Sequence, residues 1–121
     1  MARTYAVIVG TVLFLLGVLG LFKMRVFGLE FHPAHNVIHL ASGLPGLWAG
    51  IRNDKFSRAY AQVFGAVYTV VAVAGFVGIG SMQLGLNGAY NIFHLLVGVG
   101  GLVLGLTRGK SETEQVRAAR A

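Results

Sequence analysis

Cysteine is absent from the 121-residue chain. That excludes disulfides, thiolate metal sites and thiol nucleophiles, and leaves histidine as the main soft ligand beside the methionines. Acid is almost as scarce. The four acidic residues are Glu30, Asp54, Glu112 and Glu114, and none lies within a long apolar run, which argues against metal-assisted hydrolysis and against a carboxylate proton relay. Charged residues make up 12% of the chain against 55% hydrophobic ones, where a soluble domain carries about a quarter charged residues. Such a chain cannot keep its apolar side chains off its own surface, so lipid is its expected solvent.

What the chain has is uninterrupted apolar length. Residues 4–22, 31–51 and 59–107 contain no Asp, Glu, Lys or Arg. A helix needs about 20 apolar residues to cross a hydrocarbon core of about 30 Å. The first two stretches therefore hold one crossing each, and the third holds two, broken at the turn formers of "SMQLGLNG", residues 81–88. The spacing predicts spans over 5–23, 34–51, 59–80 and 88–106. They are continuous apolar blocks without strict alternation, which favours helices over barrel strands. The 18 glycines suit such helices as points of close backbone approach. The expected fold is all-α: an integral-membrane four-helix bundle over residues 1–107. A polar tail over 108–121 follows, as a frayed amphipathic extension or as disordered chain.

Basic residues set the expected orientation. Arg3, Arg52, Lys55, Arg58, Arg108, Lys110, Arg117 and Arg120 fall on one side, and Lys23 and Arg25 on the other. The positive-inside rule then places both termini and the middle loop "RNDKFSR" in the cytoplasm. The net charge of +6 finds its partner in anionic membrane lipids rather than nucleic acid, for which the chain has no motif. The first apolar run is as long as a full span and lacks a small-x-small cleavage site, so it reads as a span and not a signal peptide. Trp48, Tyr5 and Tyr60 read as interface anchors, and Tyr90 is expected at the outer interface.

The chain also repeats itself. An offset of 55 residues aligns Tyr5 with Tyr60, Gly10 with Gly65, Gly20 with Gly75, Asn36 with Asn91, His39 with His94 and Gly43 with Gly98. Gly46 aligns with Gly101 and Gly50 with Gly105 in the same register. Asn and His are rare in membrane spans, so their recurrence points to a tandem duplication of a two-helix hairpin, with units over about 3–52 and 58–107. Two helices per unit imply a pseudo-two-fold axis along the membrane normal. On a helix turning about 100° per residue, Asn36, Gly43, Gly46 and Gly50 lie within about 60° of His39, and Asn91, Gly98, Gly101 and Gly105 do so around His94. Polar groups and glycines on one face mark a face turned into the bundle.

Several uses of that layer compete. In the structural use, Asn36 or Asn91 bonds the partner histidine or a helix carbonyl and packs helices 2 and 4 together. Alternatively, His39 and His94 are the axial ligands of a b-type haem, with the glycines making room and Lys23, Arg25 or His32 receiving the propionates. A metal site would draw on His32, His35, His39 and His94 with Glu30 nearby. A small oligomeric transporter would have to use Gln62, Tyr68 and Thr69 as its path. No catalytic constellation emerges, and an enzyme is the less favoured class. The leading reading is a structural or accessory membrane subunit, with a membrane protein or a second copy of itself as partner. Pro33 suits the start of helix 2, and Pro45 is expected to bend it.

With "NVIHLASGLPGL" and "NIFHLLVGVGGL" in its spans, the chain resembles the bacterial four-span membrane proteins catalogued as domain of unknown function 4383. Their Asn-x-x-His-x-x-x-Gly signature corresponds here to Asn36, His39 and Gly43 and to Asn91, His94 and Gly98, within residues 3–107. The resemblance implies a multi-pass protein of the bacterial inner membrane with no assigned activity or cofactor.

Overall fold

A computed structural model describes residues 1–22, 32–79, 86–107 and 110–121. The described residues are all-helical, in five helices: α1 (Ala2–Leu21), α2 (Pro33–Arg52), α3 (Asp54–Phe76), α4 (Gly88–Leu106) and α5 (Lys110–Arg120). Three of them, α1, α3 and α4, are long and apolar enough to cross a membrane. α2 is as long as α1 but less apolar, because one helix carries Pro33, His35, Asn36, His39, Ser42, Pro45 and Arg52. The outward faces of the bundle are apolar, with Ile8, Leu15, Val37, Leu44, Val63, Val70, Leu96 and Val103 all exposed. The tail takes helical form in α5.

The middle loop is much shorter than the charge run suggests. α2 runs on to Arg52 and α3 starts at Asp54, so Asn53 alone makes the reversal. Its extended backbone closes α2, and its side-chain oxygen accepts the Phe56 amide at 3.0 Å, capping α3. The Ser57 hydroxyl donates to the carbonyls of Ala49 and Asn53, each at 2.9 Å, which fastens the corner. α3 therefore begins before the span expected at residue 59. Pro33 occupies the first turn of α2, and the helix continues through Pro45. The expected turn at 81–88 and residues Lys23, Arg25 and Glu30 fall wholly or mostly outside the described residues.

α1 packs along α2 and α3 along α4, and smaller contacts join α1 to α3 and α4 and α2 to α3. The two tight pairs rest on glycine. A Cβ on Gly10 would lie 2.6 Å from the Leu47 amide nitrogen, and one on Gly65 would lie 2.6 Å from that of Leu102. Gly43 meets the backbone of Phe14, and Gly98 meets that of Thr69. Backbones approach this closely only where no side chain intervenes. α2 and α4 are not among the closely packed pairs; their side chains meet in the polar layer between them.

Candidate metal centre

Helical spacing brings the polar residues onto one surface. His35 and His39 are four apart on α2, so they stand one above the other facing α4. On α4, the Asn87 side chain accepts the Tyr90 amide at 3.0 Å and sets the first turn, from which Tyr90, Asn91 and His94 point inward.

Three imidazoles converge there. His35, His39 and His94 are all buried, and one ring nitrogen from each lies within 4.8 Å of the other two. The His35 ring is 4.2 Å from that of His39 and 5.3 Å from that of His94, and the His39 and His94 rings stand edge to face at 6.2 Å. Aromatic rings wall the group. Tyr90 lies 4.4 Å from His35 and stacks on His94 at 5.6 Å, while Tyr68 and Phe93 flank His94 at 5.2 and 5.8 Å. Neither ring nitrogen of His39 or of His94 has a hydrogen-bond partner among the described residues. Leaving a buried polar group unsatisfied costs about 1–3 kcal/mol, so a layer of bare imidazole nitrogens is a standing penalty unless something binds them.

The hydrogen-bonded Asn–His layer expected from the sequence is not what the structure contains. Asn36 and Asn91 are buried, but they do not bond the nitrogens of His39 or His94, and their own Oδ1 atoms have no hydrogen-bond partner among the described residues. Each amide instead lies directly over a glycine, Asn36 over Gly20 of α1 and Asn91 over Gly75 of α3. One turn of α2 or α4 presents Asn to the neighbouring tight-packed helix and His to the bundle centre.

The aromatic anchors are also relocated. Tyr90 is fully buried, its ring against His35. Tyr5 and Tyr60 are buried too, because each hydroxyl reaches across the bundle: Tyr5 donates to the Val97 carbonyl at 2.7 Å and Tyr60 to the Ser42 carbonyl at 2.9 Å. Trp48 stays exposed, with the Arg52 guanidinium 5.9 Å from its ring centre.

The glycines named from the sequence serve close packing. Gly46 and Gly101 face the Tyr60 and Tyr5 rings, Gly50 faces Val7, and Gly105 faces Gln62. The space a macrocycle would take beside Gly43 and Gly98 holds the backbones of α1 and α3, and the His35 ring touches both proposed axial histidines. His39 and His94 are together as the periodicity requires, but with His35 as third member. His32 stands outside the cluster at the head of α2. The sequence signal for His35 was its four-residue spacing from His39 and its register with Tyr90.

Fold and site together define a small all-helical protein with membrane-span-like helices and a buried histidine cluster. Residues 3–107 match the model of a family described as Domain of unknown function (DUF4383), and the chain belongs to that family. No curated protein and no solved structure matches the chain.

Proposed function

We propose that this is a four-span protein of the bacterial inner membrane that binds a transition-metal ion between α2 and α4 through His35, His39 and His94. The observation that carries the reading is the convergence of three buried imidazoles, two of them with both ring nitrogens unpartnered. Imidazole suits zinc, copper, iron and nickel. At a metal–nitrogen distance of about 2.0–2.1 Å, three trigonal ligands stand about 3.5 Å apart. The ligand nitrogens already lie within 4.8 Å of one another.

In this reading α2 is the fourth crossing, its polar residues tolerated because they face the bundle interior. Both termini face the cytoplasm, and the halves descend from a duplicated hairpin. The recurrence of contacts at the 55-residue offset supports that descent: Asn36 on Gly20 and Asn91 on Gly75, Tyr5 to Val97 and Tyr60 to Ser42. A bound ion would clamp α2 to α4, which suits an accessory subunit that holds or delivers metal in the membrane. A b-type haem on His39 and His94 is the less favoured alternative, because His35 and Tyr90 fill the space between and beside them.

The test is metal content. Full-length protein purified in detergent from metal-replete cells should carry one transition-metal ion per chain and no Soret band, and His39→Leu with His94→Leu should remove the ion. A parent protein that binds no metal after challenge with zinc, copper, nickel and iron would overturn the proposal.

A further inference from the structure

The ligands at this site are alike in charge, and that bears on which ion they take. An imidazole binds metal as a neutral ligand. The chain has no cysteine and four acidic residues. Asp54 heads α3 and Glu114 lies in α5, and neither belongs to the cluster; Glu112 precedes Glu114 on the same helix, and Glu30 falls outside the described residues. Among the described residues, then, nothing in the cage offsets the charge of a bound ion, and the complex keeps the full charge of its metal. In a low-dielectric interior the cost of that charge grows with its square, about fourfold more for a divalent than for a monovalent ion.

The ligand number points the same way. Zinc in a three-histidine site takes a fourth ligand, a water or hydroxide, and divalent copper and nickel prefer four or more donors in tetragonal arrays. Here the Tyr90 ring lies against all three imidazoles, and Tyr68 and Phe93 flank His94. Those walls offer aromatic faces and phenol hydroxyls rather than carboxylates or thiolates, and their π-faces favour a weakly hydrated cation. A closed-shell monovalent ion is content with three nitrogens in a plane and asks for neither a fourth ligand nor a counter-charge.

Building on the metal-site reading, we propose that the ion is monovalent copper, held in three-coordinate form by His35, His39 and His94. The α2 pair forms a preset two-point clamp, and His94 closes it from α4. The entry side is the end of the bundle where α2 and α4 begin, since His35 and Tyr90 lie in the first turns of those helices.

The deciding experiment is a pair of competition titrations on metal-free full-length protein in detergent, under strict anaerobiosis. Monovalent copper is supplied as its acetonitrile complex against a copper-specific chromophore, and divalent zinc as its chloride against a zinc chromophore. The expected result is one copper per chain, bound at least about a hundredfold tighter than zinc, with three nitrogen neighbours by X-ray absorption. His39→Leu and His94→Leu should each weaken copper by more than the about 10–100-fold that follows loss of an outer-shell partner. Circular dichroism of both variants should show that the helices persist. Glu30→Gln should leave copper affinity unchanged within about twofold. Tighter binding of zinc at the same histidines, or a loss of affinity in Glu30→Gln beyond that, would overturn the assignment to monovalent copper and leave the metal site standing. Binding of neither ion, with the other metals equally inert, would overturn the metal site itself.

Discussion

The Tyr5 hydroxyl on α1 donates to the Val97 carbonyl on α4 at 2.7 Å. At the 55-residue offset, Tyr60 on α3 donates to Ser42 on α2 at 2.9 Å. Each tight helix pair thus sends one tyrosine across to the other, at the end of the bundle opposite the N-termini of α2 and α4. Both rings also fill the hollows left by glycine, Tyr60 over Gly46 and Tyr5 over Gly101.

Removing these bonds while keeping the rings isolates their worth. Tyr5→Phe and Tyr60→Phe should each destabilise the protein by about 0.6–1.5 kcal/mol, the range for hydrogen bonds between membrane helices and in proteins generally. Unfolding titrations in mixed detergent measure it. Equal stability of both variants and the parent would show that the rings act by packing alone.

The glycine contacts separate into tight and open positions. Gly10→Ala and Gly65→Ala put a Cβ 2.6 Å from a backbone nitrogen of the facing helix, and overpacking of this kind costs about 1–3 kcal/mol. Gly88→Ala meets nothing within 4 Å and should stabilise by about 0.4–1 kcal/mol through the unfolded chain. Thermal unfolding of the three variants checks the contrast.

Asn36 and Gly20 should be coupled. Gly20→Ala drives a Cβ into the Asn36 amide and should destabilise strongly, whereas adding Asn36→Ala removes the obstruction and recovers part of the loss. A double-mutant cycle should show an interaction energy of about 1–3 kcal/mol. Asn91 and Gly75 should behave alike, and additive effects at both pairs would contradict the packing described.

The histidine layer predicts opposite signs with and without metal. In the metal-free protein, His39→Leu removes two unpartnered buried nitrogens and should leave stability unchanged or raise it by about 1 kcal/mol. In the parent, saturating metal at about 100 times Kd should stabilise by about 2.7 kcal/mol, and the variant should gain nothing. Differential scanning fluorimetry with and without metal reads both signs. A metal-free variant less stable by several kcal/mol would mean that the histidines hold the bundle by bonds of their own.

Helix type and approximate extent were legible because charge exclusion over residues 4–22, 31–51 and 59–107 is a one-dimensional pattern. The α4 span coincides with its sequence estimate. The start of α3 did not, because the capping geometry of Asn53 outweighs the local charge run "RNDKFSR". His39 and His94 were legible from their recurrence, and the inward face from helical angle. Tyr5, Tyr60 and Tyr90 were not: a tyrosine near a span end has the composition of an interface anchor, and only the position of a neighbouring helix tells whether its hydroxyl meets water or a carbonyl across the bundle.

By itself the sequence determined that the chain is helical, that its surface is apolar and that its polar residues recur in two matching sets, since each follows from composition, periodicity and self-alignment. Tertiary structure decided what those sets do. Glycine lets α1 sink onto α2 and α3 onto α4, and the asparagines are taken up over Gly20 and Gly75 in those tight seams. His39 and His94 are left facing one another with no hydrogen-bond partner among the described residues, and His35 comes within reach of a helix 55 residues away in the register. Convergence of that kind depends on distances between helices, which no pattern along a single chain encodes.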